Sequence, residues 1–176
     1  MADRLLSGRF DPIPVPPLHS ADQPLFLTAL DIGDAERLGA AFAAIDPWAS
    51  YPYSPAALTS YFAAIEPDAP RYAIRYGRAG ETLVGALGMR MNWLRGPYIQ
   101  FLGLFQEVQG QRVGSRVLSW LEAGARENSA RNLWVTASGV NAGALRFYRA
   151  QGFQPVAGLD GLVADGRTEI LLRKRL

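Results

Sequence analysis

Alternating and helical spacings of apolar residues divide this chain into strands and helices. Apolar residues at intervals of three and four predict four helices, and Asp31 and Ser54 are suitable N-caps for the first two. The third helix is expected near residues 110–128 and the fourth at 142–151, closed by Gly152. Runs of β-forming residues predict strands at 25–30, 71–77, 82–93, 98–105, 133–138, 153–157 and 168–173.

This order of elements predicts an α+β fold with helices on both faces of one central sheet. The sheet is expected to be mixed and mostly antiparallel, with about seven strands. A helix joins the strands at 98–105 and 133–138, so these two are expected to be parallel. A turn is predicted at Gly96-Pro97, just before the first of them.

The second helix is expected to begin with Pro55 at its first helical position. Its buried face is predicted from spacing to contain Leu58, Tyr61, Phe62 and Ile65.

Residues 1–24 are predicted to form a proline-rich N-terminal arm, and residues 25–176 a single domain. The segment 11–17 contains four prolines and should be extended. Two alternatives remain open for the arm: it packs across the domain or a partner subunit, or it forms a loosely ordered tail.

Composition excludes several classes of function. The chain contains no cysteine and a single histidine, His19, so we expect neither thiolate chemistry nor a metal site. No apolar run is long enough for a membrane span, and a cytoplasmic protein is expected. The net charge is +2 and the arginines are dispersed, which argues against nucleic-acid binding.

Two glycines, Gly110 and Gly114, stand where the strand 98–105 gives way to the third helix. A helix N-terminus with bare backbone can bind a phosphate through its free N–H groups. The alternative is that Gly110 ends a turn and Gly114 allows close packing. A P-loop is excluded because Lys174 is the only lysine, and no dinucleotide fingerprint is present.

Two motifs carry a family resemblance. Gln109-x-x-Arg112-x-Gly114 resembles the pyrophosphate loop of the GCN5-related N-acetyltransferases, Gln/Arg-x-x-Gly-x-Gly/Ala, with Arg112 in place of the first glycine. The later segment 141–153 resembles the same family's Asn-x-x-Ala-x-x-Phe-Tyr-x-x-x-Gly-Phe at every position. The resemblance covers roughly residues 25–176.

The resemblance implies direct transfer of an acetyl group from acetyl-CoA to a primary amine of a small molecule or peptide. Tyr148 stands where the family's general acid protonates the leaving thiolate, and Asn141 where a side chain contacts pantetheine or neighbouring backbone. The backbone that pairs with pantetheine and polarises the thioester is expected at Leu104, Phe105 and Gln106. The pyrophosphate is expected on N–H groups of Gln109, Gly110, Gln111, Arg112, Val113, Gly114 and Ser115.

Arg112 fits the motif if its backbone keeps an ordinary helical conformation, because the contact needed from it is its N–H. Arg112 or Arg116 could add a charged phosphate contact. The acceptor is expected near Asp46, Trp48, Tyr51 and Tyr53, although these aromatics could instead cap the core. Glu107 and Asp46 are candidate bases, solvent is another, and none is assigned. The alternative function is a non-catalytic acyl-CoA-binding domain, and a homodimer is possible.

Overall fold

The structure, a computed structural model, describes residues 12–78 and 80–176. Residues 1–11 of the predicted arm, and Ala79 between the predicted strands 71–77 and 82–93, lie outside the described residues. The helices are α1 (Ile32–Ala43), α2 (Pro55–Ala63), α3 (Val113–Glu127) and α4 (Ala142–Ala150), with 3-10 turns at Trp48–Ser50 and Gln106–Val108. The strands are β1 (Ile13–Val15), β2 (Leu25–Ala29), β3 (Arg71–Tyr76), β4 (Thr82–Trp93), β5 (Gly96–Leu104), β6 (Asn132–Ser138), β7 (Gln154–Asp160) and β8 (Thr168–Arg175).

One sheet contains all the strands of the described residues, in the order β1-β2-β3-β4-β5-β6-β8-β7. The pair β5–β6 is parallel and every other neighbouring pair is antiparallel. The predicted α+β fold with a mixed, mostly antiparallel sheet is confirmed. The additional strand is β1, a piece of the proline-rich segment that pairs with β2 at the sheet edge.

Each face of the sheet is covered by a pair of helices. Successive residues of a strand point to opposite faces, and Tyr72 and Ala73 accordingly belong to different apolar clusters. One cluster contains α3 residues such as Val117 together with Tyr148 of α4. The other contains Phe42 of α1 and residues of α2. Helices on both faces were predicted and are observed.

The predicted helix starts are confirmed by their caps. The Asp31 carboxylate accepts a hydrogen bond from the Asp34 N–H at 2.7 Å, and the Ser54 hydroxyl accepts one from the Ala57 N–H at 3.1 Å. The predicted burial of Ile65 is wrong, since this side chain is 94% exposed. Because α2 ends at Ala63, Ile65 no longer follows the helical spacing that suggested its burial.

The predicted turn at Gly96-Pro97 is also wrong, because both residues belong to β5. The chain turns one step earlier, at Leu94 and Arg95, which both have positive φ angles of 41° and 67°. Gly96 is needed for a different reason. A Cβ atom there would lie 1.8 Å from the Asn132 carbonyl oxygen of β6.

Arg116 ties the N-terminal segment to α3. Its guanidinium donates hydrogen bonds to the carbonyls of Val15, Pro16 and Gln23 at 2.9, 3.2 and 2.7 Å. The residue is 2% exposed, and each of its three guanidinium nitrogens donates one of these bonds. The prediction that Arg116 could contact a phosphate is therefore wrong.

None of the helices in the part of the chain that the structure describes could span a membrane.

Candidate functional site

Strands β5 and β6 separate soon after they meet. Their register contains only the pairs Tyr98–Trp134 and Ile99–Val135, although β5 continues to Leu104 and β6 to Ser138. A register shift against β4 at this point leaves Gln100 without a partner residue. Such a bulge bends a strand and increases its twist. A gap, here called the β5–β6 gap, opens beyond the two pairs.

Backbone groups of β5 face this gap. The Phe105 N–H donates to the Val84 carbonyl of β4 at 2.9 Å. Because neighbouring residues of a strand direct their backbone groups to opposite sides, Leu102 and Leu104 direct theirs away from β4. The Leu104 carbonyl accepts a hydrogen bond from the Gln109 side chain at 3.1 Å. The gap therefore has a hydrogen-bonding edge like that of an unpaired strand.

This geometry changes the predicted set of backbone contacts. Leu104 lies as predicted, but the Phe105 N–H is already bonded to β4 and is not free for a ligand. Gln106 begins the 3-10 turn and is exposed. The Phe105 ring contributes instead to the core, with its centroid 5.5 Å from that of Phe42.

The N-terminus of α3 lies beside the end of β5. Its N-cap is Arg112, and no side chain caps the helix. The first-turn N–H groups of Val113, Gly114 and Ser115 thus have no helical acceptor, as at any helix start. The Arg112 backbone is left-handed, with φ +61°, so the condition of an ordinary helical conformation is not met. Arg112 takes the conformation that a glycine would adopt without strain.

The two glycines of this turn have different roles. Gly110 has φ +78° and open space around the position of a Cβ atom. Gly114 is buried in α3, where a Cβ atom would lie 3.0 Å from the ring of Phe147 on α4. The packing interpretation therefore holds for Gly114. Because Gly114 has no side chain, α3 and α4 pack closely here, and both helices line one cavity.

A cavity of about 530 Å³, here called the larger cavity, begins at this helix end and runs along the last residues of β5. Leu104, Gln109, Gly110, Arg112, Val113, Gly114 and Ser115 line it on one side, and Asn141, Phe147 and Tyr148 on the other. Gln106 and Gln111 are absent from its wall among the described residues. The Gln111 side chain donates to the Glu107 carbonyl at 2.7 Å.

Asn141 and Ser115 are held by local contacts. The Asn141 side-chain oxygen, Oδ1, accepts a hydrogen bond from the Ala144 N–H at 2.9 Å and caps α4. The Ser115 hydroxyl accepts a hydrogen bond from the Gln151 amide at 3.0 Å. The capping leaves the Asn141 NH₂ group available on the cavity wall.

A smaller cavity of about 160 Å³ adjoins the larger one, and Pro47, Trp48, Leu102, Asn141, Ala144 and Tyr148 line both. Tyr148 is buried, and its ring packs on Phe153 with centroids 5.5 Å apart. Its hydroxyl makes no hydrogen bond to the residues described here. Burial raises the pKa of the Tyr148 phenol, and nearby Tyr98 adds to the shift. The phenol is therefore neutral at physiological pH.

The predicted acceptor residues divide between the two cavities. Tyr51 and Tyr53 line the smaller one, whereas exposed Asp46 lines the larger. Trp48 lines both and also stacks on Phe101, with centroids 4.6 Å apart. The aromatic connection thus caps the core and forms cavity wall at the same time.

Glu169 was missed by the sequence analysis. It is 5% exposed, lines the smaller cavity, and accepts a hydrogen bond from the Tyr51 hydroxyl. The candidate base Glu107 is exposed and lines neither cavity. The sequence signal that could have identified Glu169 was an acidic residue near the start of the last predicted strand, next to apolar Ile170.

No group of three or more potential metal ligands occurs in the described ranges.

The sequence of this chain matches a known protein family. The family model described as acetyltransferase (GNAT) family matches residues 38–153, more than half of the chain. The chain belongs to this family. A search of curated proteins found no match.

Solved structures of GNAT acetyltransferases share the fold. An acetyltransferase from Thermus thermophilus aligns with a TM-score of 0.68 and 21% identity, over 86% of this chain and 97% of that one. A GNAT acetyltransferase from Elizabethkingia anophelis with acetyl-CoA bound has a TM-score of 0.55 and 16% identity, over 62% and 77%. Nourseothricin acetyltransferase has a TM-score of 0.55 and 24% identity, over 62% of this chain and 66% of that protein.

Proposed function

We propose that this GNAT protein is an N-acetyltransferase that transfers the acetyl group of acetyl-CoA directly to a primary amine. The observation that supports this most is the junction of the two cavities at Trp48, Asn141 and Tyr148. One cavity has the backbone donors suited to a pantetheine pyrophosphate, and the other is lined by aromatic and acidic side chains. Their junction is where a thioester and an amine would meet.

The N-terminus of α3 binds the pyrophosphate in this proposal. Free N–H groups and the positive end of the helix dipole favour an anion there. Leu102 and Leu104 offer backbone groups to the amide units of pantetheine, as a neighbouring strand would. Asn141 offers its NH₂ group from the opposite wall.

The reaction needs a donor near the thioester oxygen, because negative charge grows there as the amine attacks. The Leu104 N–H, directed into the β5–β6 gap, is the backbone donor that fits this role. Tyr148 supplies a proton to the departing sulfur. Among the described residues, the junction has no cysteine and no serine on a sharp strand-to-helix turn that could act as a nucleophile. This fits direct transfer without an acyl-enzyme intermediate.

The test combines calorimetry with an assay of free thiol. Wild-type protein should bind coenzyme A and release thiol from acetyl-CoA when a panel of primary amines is supplied. Tyr148→Phe should lower kcat by about a hundredfold, because the proton donor is lost while affinity for coenzyme A is retained. Tyr76→Phe is the matched control, since Tyr76 lies on β3 outside both cavities.

Coenzyme A binding without thiol release for any amine would instead support the non-catalytic acyl-CoA-binding domain. Absence of coenzyme A binding would contradict both functions. The acceptor we propose is a primary amine of a small molecule or peptide. A cytoplasmic location and a homodimer stay predictions from the sequence.

A further inference from the structure

Glu169 is a buried carboxylate without a cation. It stands opposite Ser138, the last residue of β6, and accepts a hydrogen bond from Tyr51. Within residues 12–78 and 80–176, no lysine or arginine forms an ion pair with it. Burying a carboxylate is costly unless it is paired and hydrogen-bonded. Its position on a cavity wall therefore indicates a positively charged ligand.

Arg167 is close to this group but is engaged elsewhere. Its Nη1 atom donates to the Ser50 hydroxyl at 3.1 Å, and its guanidinium carbon lies 5.3 Å from the centre of the Tyr51 ring. This arginine thus supports the Tyr51 ring from the loop side. Because Arg167 forms no ion pair with Glu169, the carboxylate is available to bind a cation inside the cavity.

Gln100 provides a second acceptor in the same cavity. Its side-chain oxygen is buried and has no hydrogen-bond partner among the described residues. An unpartnered buried acceptor is destabilising, because nothing compensates for the loss of its hydration. An ammonium group carries three donors and no acceptor, so it could serve both Gln100 and Glu169.

The remaining wall suits a cation with an apolar tail. Trp48, Tyr53 and Phe101 contribute aromatic rings, whose faces attract cations. Burial raises the pKa of Tyr53, and the negative charge of Glu169 raises it further. The electrostatic potential that Glu169 creates in this cavity is therefore negative, and it opposes entry of an anionic group.

We propose that the acceptor is a small primary amine without a neighbouring carboxylate, and that Glu169 binds its ammonium group and takes its proton. This inference rests on the proposed acetyltransferase function and names the acceptor class for the same site. The volume of about 160 Å³ equals roughly five water molecules in the liquid, which limits the tail to a slim group.

The reaction balances as follows. Glu169 takes one proton from the ammonium group, which leaves a neutral amine and a carboxylic acid. The amine nitrogen bonds to the thioester carbon, and the carbon–sulfur bond breaks. Sulfur takes the Tyr148 phenol proton, and the phenolate then takes the second proton from nitrogen. Glu169 loses its proton to solvent, so the products are amide, coenzyme A and one proton.

The test uses three probes of closely related shape: phenethylamine, phenylalanine and phenylalanine methyl ester. Thiol release from acetyl-CoA gives kcat and KM for each with wild-type protein. We expect kcat/KM for phenethylamine to exceed that for phenylalanine by at least about tenfold, because two carboxylates repel each other. The methyl ester should recover most of this loss, since it removes the charge and keeps the bulk.

Glu169→Gln should lower kcat/KM for phenethylamine by at least about tenfold and reduce the discrimination against phenylalanine. Its affinity for coenzyme A should be unchanged. Asp165→Asn is the matched control, because Asp165 is an exposed carboxylate in the loop before β8. The wild-type comparison of the three probes keeps the proposal testable even where the Glu169 variant fails to fold.

The outcomes separate this inference from the proposed function. Thiol release from no amine at all contradicts the acetyltransferase function itself. Thiol release that is equal for phenethylamine and phenylalanine, or a Glu169→Gln variant with wild-type selectivity, overturns the role of Glu169. Activity confined to peptides, with none on phenethylamine, overturns the small-amine acceptor.

Discussion

Arg112 and Asp22 form an ion pair, with 3.1 Å between Nη2 and Oδ1, that joins the turn before α3 to the N-terminal segment. Asp22 also accepts hydrogen bonds from the N–H groups of Leu18 and His19 at 2.8 and 3.0 Å. The residue that replaces the family's first glycine thus has its side chain directed to the arm. Its backbone N–H is what remains for a phosphate.

Replacing Arg112 with glycine should stabilise the protein slightly. A left-handed conformation costs a non-glycine residue about 1 kcal/mol, and an ion pair through the exposed Arg112 guanidinium offsets only a small part of that cost. We expect Arg112→Gly to raise the free energy of unfolding in urea by about 0.5 kcal/mol.

Arg112→Ala is the control for this change, because it loses the ion pair and keeps the strain. It should be about 1 kcal/mol less stable than Arg112→Gly. Both variants should bind coenzyme A with near wild-type affinity in calorimetry. A large loss of affinity in both would show that the guanidinium, rather than the backbone, contacts the phosphate.

Acid should remove the contribution of Asp22 to stability. Partial burial raises the pKa of Asp22, but the bonds from His19, Arg112 and Leu18 outweigh it and lower the pKa from 3.8 to about 2. A carboxyl with a lowered folded-state pKa stabilises the fold above its unfolded pKa, and this is lost as the pH falls through the folded value. The relevant window is therefore about pH 4 to pH 2.

Melting temperatures of wild-type protein and Asp22→Asn measure this effect. The difference between them should be constant at pH 5 and above and should shrink as the pH falls from about 4 to 2. A difference that persists unchanged at about pH 2 would contradict the assignment.

Arg116 should matter more to stability than any exposed arginine of α3. Replacing it with methionine removes the donors of three carbonyls, in one buried and two part-buried hydrogen bonds. Arg116→Met should therefore lower the free energy of unfolding by about 2–4 kcal/mol. Arg126→Met is the matched control on the same helix, because Arg126 is exposed and pairs with Glu122. That change should cost about 0.5 kcal/mol or less.

Urea unfolding of both arginine variants provides the measurement. Equal losses for Arg116→Met and Arg126→Met would show that the N-terminal segment contributes little to the fold.

Two glycines of α1 should respond in opposite ways to alanine. A Cβ atom at Gly39 would lie 2.8 Å from backbone atoms of Pro55 and Thr59 on α2, whereas Gly33 has only the Asp31 carboxylate at 3.4 Å. Gly39→Ala should therefore lower the free energy of unfolding by about 1–3 kcal/mol. Gly33→Ala should raise it by about 0.5 kcal/mol, because alanine favours the helix.

Thermal or urea unfolding of the two variants checks this contrast. A stabilising effect of Gly39→Ala would mean that α1 and α2 are farther apart than the structure shows.

Local signals allowed much of the fold to be predicted from the sequence. The caps at Asp31 and Ser54 depend on residues three positions apart, and the parallel pairing of β5 with β6 follows from the helix between them. The turn before α3 was found from its spacing. The left-handed Arg112 was not, because arginine carries no signal for positive φ.

Long-range contacts explain what the sequence could not supply. Arg116 bonds to residues about a hundred positions earlier, and Tyr51 bonds to Glu169 118 positions later. Periodicity assigns a residue to a helix face or strand face, but it does not name the partner across the fold. The smaller cavity was therefore predicted on its aromatic side alone, and its carboxylate was missed.

The exposed edge of Leu102 and Leu104 has a consequence for how this protein can diverge. Contacts made by main-chain atoms survive the replacement of side chains, so the half of the site that they build is inherited almost unchanged through mutation. The wall around Glu169 is made of side chains and has no such protection. Under the proposed function, new acceptor preferences can therefore arise there one substitution at a time, while the acyl donor stays the same.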